Sequence, residues 1–369
     1  MLVNGKNYIS IWLENEKFPV VKTINQLLLP HRLEIAELKS SDDVFIAIKS
    51  MLLRGAPLIG VAAAYGIYLA CYESRNAKTI DQFNTNVINK ARKINSARPT
   101  AVNLETAVLN ALKILVNKKS INLKTEAIRK YAEQLSGSEI EYCRKIGQYG
   151  VKILRKLSKN KKGKTLNILT HCNAGWLACI DYGTATAPIY FAKEEGIDIH
   201  VWVEETRPRN QGSNLTAWEL GENKIPHTVI TDNAGGYVMQ KGMVDIVIVG
   251  SDRTTLTGDV CNKIGTYKSA LAAKDNNIPF YAALPETSFD LNIRDGLKEI
   301  PIEERNPDEV KYISGKYNGK IVEVLLTPEN SPAKNYGFDI TPSRLVTALI
   351  TNKGIIAPDE SEIKKLFKN

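Results

Sequence analysis

The spacing of apolar residues divides the chain into two parts. From about residue 24 to residue 157, apolar side chains recur every three or four residues, which places them on one helix face. The run Ser40–Asp43 is typical of a helix N-cap, and the alternation in the first twenty residues predicts a small hairpin or edge strand. Helices are predicted over three groups of positions, which are Ile24, Leu27 and Leu28; Val44, Ile48, Met51 and Leu52; and Val108, Ala111, Leu112 and Leu115.

Short apolar runs typical of buried strands begin after residue 164. They alternate with segments of helical composition, which predicts an α/β fold with a mostly parallel sheet. A lysine-rich stretch separates the two patterns. We therefore place a domain boundary near Asn160–Lys164, between a mainly helical domain (1–160) and an α/β domain (161–369). The predicted strands are Leu166–Thr170, Ile197–Val203, His227–Ile230, Val244–Val249 and Pro279–Ala283.

The composition is that of an average globular protein, with 43% hydrophobic and 24% charged residues among 369. The first residues lack the basic-then-apolar order of a signal peptide. The most apolar stretch, Leu58–Ala70, is too short to span a bilayer comfortably and predicts a buried core helix. We therefore expect a cytoplasmic protein that does not bind membranes.

The net charge of +9 suits an anionic partner. Much of this excess lies in Val151–Lys164, which has seven Lys and Arg residues and no acid. Because this segment lacks interleaved aromatic residues that stack on bases, we interpret it as a solvated helix end and expect no nucleic-acid binding.

The cysteine and histidine residues do not follow a metal-binding pattern. Five Cys residues occur without a CxxC pair, and the chain has four His residues. Neither a disulfide framework nor a zinc site is indicated, and no GxGxxG dinucleotide fingerprint is present. The sequence therefore predicts neither a metal nor a nicotinamide cofactor.

Polar, charged or glycine-rich segments follow four of the predicted strands. In doubly wound sheets, ligands bind beyond the carboxyl ends of the strands, so these segments predict one binding edge. They are His171–Gly175, Glu204–Gly212, Thr231–Gly236 and Gly250–Arg253, the last continuing to Gly258–Gly265.

Each of these candidates also fits an ordinary structural role. Cys172 is equally compatible with a buried thiol, and Asp252 with a helix N-cap. Surface ion pairs or an exposed turn would account for the others, which are Arg207, Arg209, Asn262 and Lys263. Their shared placement after predicted strands favours a ligand-binding site. The pattern by itself predicts an α/β enzyme with an anionic ligand.

Two segments of the helical part also suit a phosphate. Arg54–Pro57 opens the apolar helix and offers a guanidinium beside free backbone N–H groups, although Pro57 also fits a plain first helical turn. Arg98–Asn103 has the same form, an arginine at the entry to a helix. If these two helix starts face one site, they would contact a sugar phosphate from two sides.

Eight ordered motifs, from about residue 20 to the C-terminus, match one protein family. They are RGAPLIGVAAAYG (54–66), ARPTAVNL (97–104), ILTHCNAG (168–175), EETRPRNQGSNLTAWEL (204–220), ITDNAGGYVM (230–239), VGSDRTTLTGDVCNKIGTY (249–267), IPFYAALP (278–285) and FDITP (338–342). On these motifs the chain resembles the methylthioribose-1-phosphate isomerase family, whose superfamily also contains ribose-1,5-bisphosphate isomerase and the regulatory subunits of eukaryotic initiation factor 2B.

The resemblance implies a Rossmann-like α/β domain after the helical domain, a homodimer, and a cofactor-independent isomerase. Its reaction would convert 5-methylthioribose 1-phosphate to 5-methylthioribulose 1-phosphate in methionine salvage. The family's catalytic acid corresponds to Asp252, and its catalytic thiol to Cys172. Its phosphate and sugar contacts correspond to Arg54, Gly55, Ala56, Arg98, Gln211, Asn262 and Lys263.

The substrate explains these residue types. A furanose 1-phosphate cannot open freely because its anomeric oxygen is phosphorylated. Asp252 can protonate the ring oxygen if a dry pocket raises its pKa. Cys172 lies at a predicted strand-to-helix turn, where helix N–H groups favour a thiolate. It would act either as the base of an enediol route or as a stabiliser of charge during a hydride shift.

Three other functions remain open. A 5-deoxyribose-1-phosphate isomerase, or an enzyme with both activities, differs in the C5 substituent alone. A ribose-1,5-bisphosphate isomerase would need a second cationic cluster. A translation-initiation regulatory subunit would bind a sugar phosphate or nucleotide without turnover, and it would need neither Cys172 nor Asp252.

Overall fold

The computed structural model describes residues 1–15, 18–98, 101–117 and 119–368. Its helices are α1 (Ser41–Lys49), α2 (Ala56–Glu73), α3 (Ile80–Asn95), α4 (Val102–Val116), α5 (Ile121–Asn160), α6 (Trp176–Cys179), α7 (Ala187–Glu194), α8 (Ala217–Glu222), α9 (Ala234–Gln240), α10 (Thr266–Asp275), α11 (Gly296–Glu299), α12 (Asp308–Lys311) and α13 (Glu360–Leu366). Its strands are β1 (Leu2–Val3), β2 (Lys6–Asn7), β3 (Ile11–Asn15), β4 (Pro19–Ile24), β5 (Ile35–Leu38), β6 (Leu166–Thr170), β7 (Ile199–Glu204), β8 (His227–Ile230), β9 (Ile246–Val249), β10 (Arg253–Thr255), β11 (Val260–Lys263), β12 (Phe280–Ala283), β13 (Phe289–Asp290), β14 (Tyr312–Tyr317), β15 (Lys320–Leu325), β16 (Phe338–Thr341), β17 (Ala348–Thr351) and β18 (Gly354–Ile356).

The main sheet has the strand order of a Rossmann fold. Within the described residues it runs β18-β17-β12-β9-β6-β7-β8, and its strands are parallel except for β18 at the edge. In chain order, its parallel strands therefore follow the doubly wound pattern 3-2-1-4-5-6. The predicted fold class is confirmed, and the point where the strand order reverses lies between β6 and β9.

The predicted strands are all present. β6 and β8 match their predicted bounds, whereas β7, β9 and β12 begin one or two residues later than predicted. For β12 the reason is chemical, because Pro279 has no N–H to donate to the ladder and the first strand residue is Phe280.

The predicted core helix is α2. It is the helix in the described part of the chain that is long and apolar enough to cross a membrane, yet 89% of it is buried inside the protein. The predicted N-cap of α1 is also confirmed. Ser40 Oγ accepts from the Asp43 backbone N–H at 3.1 Å, and the Asp43 carboxylate accepts from the Ser40 N–H at 2.9 Å.

The helix predicted over Ile24, Leu27 and Leu28 is wrong. Ile24 ends β4 and pairs with Ile35 of β5, and a turn follows in which the Asn25 side chain accepts from the Leu27 N–H at 3.2 Å. Strand pairing and this side-chain turn compete successfully with the helical spacing. The β-pattern predicted for the first twenty residues is confirmed by the β1–β2 and β3–β4 hairpins.

The long helix α5 joins the helical part to the sheet. It packs against α2 and α4, and also against α7 and β17. Its basic end makes ion pairs, from Arg155 to Glu195 at 2.5 Å and from Lys161 to Asp245 at 2.6 Å. Because α5 contacts both parts, the division into 1–160 and 161–369 stays a prediction.

The close packing of α5 on α7 depends on a glycine, which gives a test. A Cβ at Gly150 would lie 2.4 Å from Cγ of the rigid Pro188 ring, whereas one at Gly137 of the same helix would meet no atom within 4 Å. We expect Gly150→Ala to lower the free energy of unfolding by about 1–3 kcal/mol. Gly137→Ala, as the control, should raise it by up to about 1 kcal/mol. Urea unfolding measures both, and equal effects would contradict this account of the packing.

Candidate active site

A cavity lies where the sheet's strand order reverses, between the ends of β6 and β9 and the start of α2. The structure brings together there all nine residues that the family resemblance indicates for the site. They are Arg54, Gly55, Ala56, Arg98, Cys172, Gln211, Asp252, Asn262 and Lys263.

Cys172 is held rigidly in the cavity wall. Its backbone has a φ of 64°, its N–H donates to Thr206 Oγ1 at 2.8 Å, and its carbonyl accepts from Thr216 Oγ1 at 2.7 Å. Its thiol donates to Gln211 Oε1 at 3.4 Å. The side chain therefore points at a defined place beside another predicted site residue.

The expectation of a helix-stabilised thiolate at Cys172 is wrong. Burial raises the pKa of the Cys172 thiol, against the opposing influence of Lys263 and Arg54, so at neutral pH the group is a thiol. The physical reason is that α6 begins only at Trp176. The first amides of α6, those of Trp176 and Leu177, donate to the Glu219 carboxylate at 3.2 and 2.9 Å.

Asp252 has the electrostatic environment that a proton donor needs. Burial raises the pKa of its carboxyl, although Lys263, Arg98 and Arg54 act in the opposite direction. Its backbone N–H donates to the Cys261 carbonyl at 3.0 Å, which anchors it beside the β10–β11 hairpin.

Two buried arginines have donors to spare. Arg54 donates from Nη1 to the Asn173 carbonyl at 2.7 Å and from Nη2 to the Asn173 side chain. Arg98 pairs through Nη2 with Glu303 at 2.8 Å. In both side chains the buried Nε has no hydrogen-bond partner among the residues that the structure describes. An unpaired buried donor is costly, so both arginines are suited to an anionic ligand.

Lys263 is the third buried cation of the cavity. Its Nζ lies 4.5 Å from the centroid of the Phe338 ring, and burial lowers its pKa, although Cys172 and Asp252 act in the opposite direction. Among the described residues, no carboxylate forms an ion pair with it. Its neighbour Asn262 donates from its amide to Thr266 Oγ1 at 3.0 Å.

The start of α2 supplies backbone donors at the same place. Gly55 precedes the helix with a φ of 105°, and in the described part of the chain no side chain caps the helix N-terminus. A Cβ at this position would lie 2.5 Å from the Cα of Ala178, so only glycine allows α2 to approach α6 this closely. Free N–H groups at a helix start bind anions.

Glu219 is a supporting residue that sequence reasoning missed. It is fully buried and accepts from Asn173 Nδ2 at 3.0 Å and from the Tyr190 hydroxyl at 3.2 Å, in addition to the two α6 amides. Burial raises its pKa to about 7. Glu219 thereby orients Asn173, which in turn holds Arg54. No local pattern distinguishes this acid from a solvated one.

Further residues line the cavity wall. Four of them, Asn173, Ala174, Gly250 and Ser251, lie in the segments predicted at the binding edge, and sequence reasoning missed the others. All of these wall residues supply shape more than charge, and their positions depend on how loops distant in sequence converge. Together they are Met51, Asn173, Ala174, Ala178, Cys179, Thr184, Gly250, Ser251, Pro285 and Phe338.

Arg207 and Arg209 do not line the cavity. Arg207 donates to the carbonyls of Pro208 and Val310, at 2.7 and 2.8 Å. Arg209 pairs with Glu309 at 2.9 Å. The structure therefore supports a structural role for Arg207 and an ion-pair role for Arg209.

A second, wider cleft adjoins the cavity and shares Met51, Arg54 and Gln211 with it. Its volume is about 530 Å³. Its wall carries three carboxylates, those of Asp308, Glu309 and Glu323. In the described part of the chain, no group of three or more His, Cys, Asp or Glu side chains is arranged to hold a metal ion.

Known proteins of closely related sequence cover the whole chain. The initiation factor 2 subunit family matches residues 52–358. A methylthioribose-1-phosphate isomerase from Desulfatibacillum aliphaticivorans is 53% identical, and the alignment covers 100% of this chain and 99% of that protein.

Two solved structures are similar along almost the whole chain. A 5-methylthioribose 1-phosphate isomerase from Pyrococcus horikoshii OT3 is 36% identical with a TM-score of 0.83, covering 98% of this chain and 96% of that one. A structure described as the delta subunit of translation initiation factor eIF-2B from A. fulgidus is 39% identical with a TM-score of 0.79, covering 98% and 100%. The chain therefore belongs to the methylthioribose-1-phosphate isomerase family and, more broadly, to the initiation factor 2 subunit family.

Proposed function

We propose that this protein is an aldose-ketose isomerase that converts 5-methylthioribose 1-phosphate to 5-methylthioribulose 1-phosphate in methionine salvage. The observation that carries the proposal is one cavity lined by a thiol, a carboxyl with a raised pKa and three buried cations. The substrate is that of the isomerases to which the chain is similar.

Phosphate recognition follows from the unpaired donors. Arg54, Arg98 and Lys263 line one cavity together with the start of α2, and the Nε groups of both arginines are buried. A phosphate bound there would pair donors that are otherwise buried without partners. Gln211 and Asn262 are placed to contact the sugar hydroxyls.

Asp252 opens the ring. Its raised pKa increases the protonated fraction of the carboxyl, which donates its proton to the ring oxygen while the bond from C1 to that oxygen breaks. The positive charge left at C1 lies beside the phosphate ester oxygen. A hydride moves from C2 to C1, and the C2 hydroxyl returns a proton to the Asp252 carboxylate, which forms the ketose and restores the acid.

The state of Cys172 favours this hydride shift over the enediol route. A base must be deprotonated, whereas burial raises the pKa of Cys172 and its thiol acts as a hydrogen-bond donor to Gln211. We therefore assign the thiol to polarising the sugar oxygens during the shift.

The charges of the adjoining cleft argue against a bisphosphate substrate. Asp308, Glu309 and Glu323 would repel a second phosphate, and Arg209 there is already paired with Glu309. A purely regulatory role gains no support from the site, because a binding protein needs neither Cys172 nor Asp252.

We further propose a cytoplasmic homodimer that binds neither nucleic acid nor membranes. The ion pairs of Arg155 and Lys161 within the chain account for part of the basic segment without a nucleic-acid partner. The apolar helix α2 is buried in the core.

Removing the reacting groups should stop turnover but not binding. We expect Asp252→Asn and Cys172→Ala each to lower kcat on the order of a hundredfold or more, with substrate affinity by calorimetry little changed. Asp275→Asn, at an exposed carboxylate that ends α10, and Cys71→Ala, in α2 outside the cavity wall, are the controls. Near-normal turnover in Asp252→Asn would refute its role as the acid.

Removing a phosphate ligand should mainly weaken binding. Lys263→Ala and Arg54→Ala should raise KM about 10- to 100-fold, because each loses a charge-assisted contact of about 1.5–3 kcal/mol that is present before and during the reaction. Lys274→Ala, an exposed lysine of α10, is the control. An unchanged KM together with normal inhibition by inorganic phosphate would exclude the residue as a ligand.

Comparing sugars tests the substrate assignment. We expect kcat/KM to be highest for the 5-methylthio and 5-deoxy sugars. The kcat/KM values of these two sugars should differ by no more than about 200-fold, because they differ only in a small apolar group. Ribose 1-phosphate should react more slowly, because its 5-hydroxyl must lose bound water on entering the site, a cost that an apolar C5 substituent does not have. The 1,5-bisphosphate should be slowest, and a chelator should leave all rates unchanged. If the bisphosphate is the best substrate, the methionine-salvage assignment is wrong.

A further inference from the structure

His171 precedes the cavity residue Cys172 and lies where the ends of β6 and β7 of the main sheet meet the end of β11 of the four-stranded sheet. It follows β6, and its side chain is 1% exposed. Its Nδ1 lies 2.7 Å from Oε2 of Glu204, the last residue of β7. Its Nε2 lies 2.8 Å from the carbonyl oxygen of Ile264, the residue after Lys263.

This geometry determines the protonation state of the ring. A carboxylate and a carbonyl are both acceptors, and a neutral imidazole has only one N–H to offer. A neutral His171 would therefore turn a lone pair toward one of two acceptors in a fully buried place, at the cost of an unmade hydrogen bond. With both nitrogens protonated, Nε2 donates to the Ile264 carbonyl and the positive charge of the ring is balanced by Glu204, whose Oε2 forms an ion pair with Nδ1 at 2.7 Å.

We propose that His171 is a positioning residue, an imidazolium that ties together the ends of β6, β7 and β11 and thereby holds Cys172 and Lys263 in the cavity. The assignment rests on the proposed function only in the roles of these two residues. His171 does not touch the cavity itself. It acts through the backbone on either side of the site.

The residues around the His171 ring pack closely against it and fix the position of its partners. Gly265 has a φ of 103°, and a Cβ there would lie 2.9 Å from the His171 ring, so the turn after β11 closes on the imidazole only with glycine. Asp339 secures the same turn by accepting from the N–H groups of Gly265 and Tyr267, at 2.7 and 3.1 Å. Ser269 donates to the Glu204 oxygen that faces the ring, at 2.9 Å.

The charges around the ring come from four elements of the fold. Glu204 ends β7, Asp232 follows β8, Asp339 lies in β16, and Lys268 of α10 places its Nζ 3.5 Å from Glu204 Oε1. Burial alone would lower the pKa of His171, but Glu204 and Asp232 outweigh it, and the pKa lies above its ordinary value.

The raised pKa of His171 determines how its contribution to the stability of the fold depends on pH. The folded protein holds the proton more tightly than the unfolded chain does. The stabilisation from His171 is therefore complete below pH about 6.5, and it is lost as the pH rises through the raised pKa of the folded state.

Nitrogen-15 NMR of the intact protein tests the charge directly. The chain has four His residues, so labelled histidine gives few signals, and the spectrum of His171→Ala identifies the pair that belongs to His171. At pH 7.5 an ordinary histidine is about nine-tenths neutral, whereas both nitrogens of His171 should show imidazolium shifts. A neutral-tautomer pattern would overturn the proposal.

Kinetics test the positioning role. His171→Ala should lower kcat about 10- to 100-fold and also raise KM, because Cys172 and Lys263 both move. His200→Ala, at a ring whose Nε2 lies 3.0 Å from Thr228 Oγ1 on the surface, should change neither. A merely structural role would reduce the active fraction and leave KM at the wild-type value, which would contradict positioning.

Alkylation of Cys172 separates this inference from the proposed function, because it needs no turnover. Iodoacetamide labelling, followed by peptide mass spectrometry, should be several-fold faster at Cys172 in His171→Ala than in the wild type or His200→Ala. An unchanged rate in folded His171→Ala would overturn the positioning role even if the isomerase activity is confirmed. Faster labelling in His171→Ala than in the wild type, together with a wild type that has no isomerase activity, would support positioning and refute the proposed function.

Discussion

Three cationic side chains, those of Arg54, Arg98 and Lys263, are buried around one cavity, and their burial constrains the structure around them. A buried charge is costly unless it is paired or hydrogen-bonded. Arg54 is held by Asn173, Arg98 by Glu303, and Lys263 lies over the ring of Phe338. These partners come from distant parts of the chain, so the helical part and the sheet must meet in one arrangement for the charges to be tolerated.

The same dry environment has opposite effects on acids and bases, and it prepares the site for chemistry. Burial raises the pKa values of Cys172, Asp252 and Glu219 and lowers that of Lys263. Each shift moves a group toward its neutral form. A carboxyl that keeps its proton is a donor, and a thiol that keeps its proton is a poor base. The buried arginines keep Nε groups that have no hydrogen-bond partner among the described residues, and these suit a phosphate.

Much of the fold could be predicted from spacing. The strands β6 and β8 were predicted to the residue, and the capping pattern at Ser40 placed the start of α1. The failures have local physical causes. Ile24 has helical spacing to Leu27 and Leu28, but it is paired in a sheet whose other strands lie elsewhere in the sequence. Cys172 was expected beside a helix start, but α6 begins four residues later and directs its first amides to Glu219.

By itself, the sequence determined which elements form and which side chains follow each strand, because hydrophobic period and turn chemistry are local properties. It therefore placed candidate polar residues at one edge of the sheet, and the motif resemblance assigned the acid, the thiol and the phosphate ligands among them. Only the tertiary structure determined the protonation states of these groups and which residues hold them in position. The pKa of a group depends on what surrounds it in space, and Glu219, Glu303 and His171 acquire their partners, which are distant in the sequence, only when the chain is folded. Desolvation and pairing across the fold are not local, and for that reason no pattern along the chain could show them.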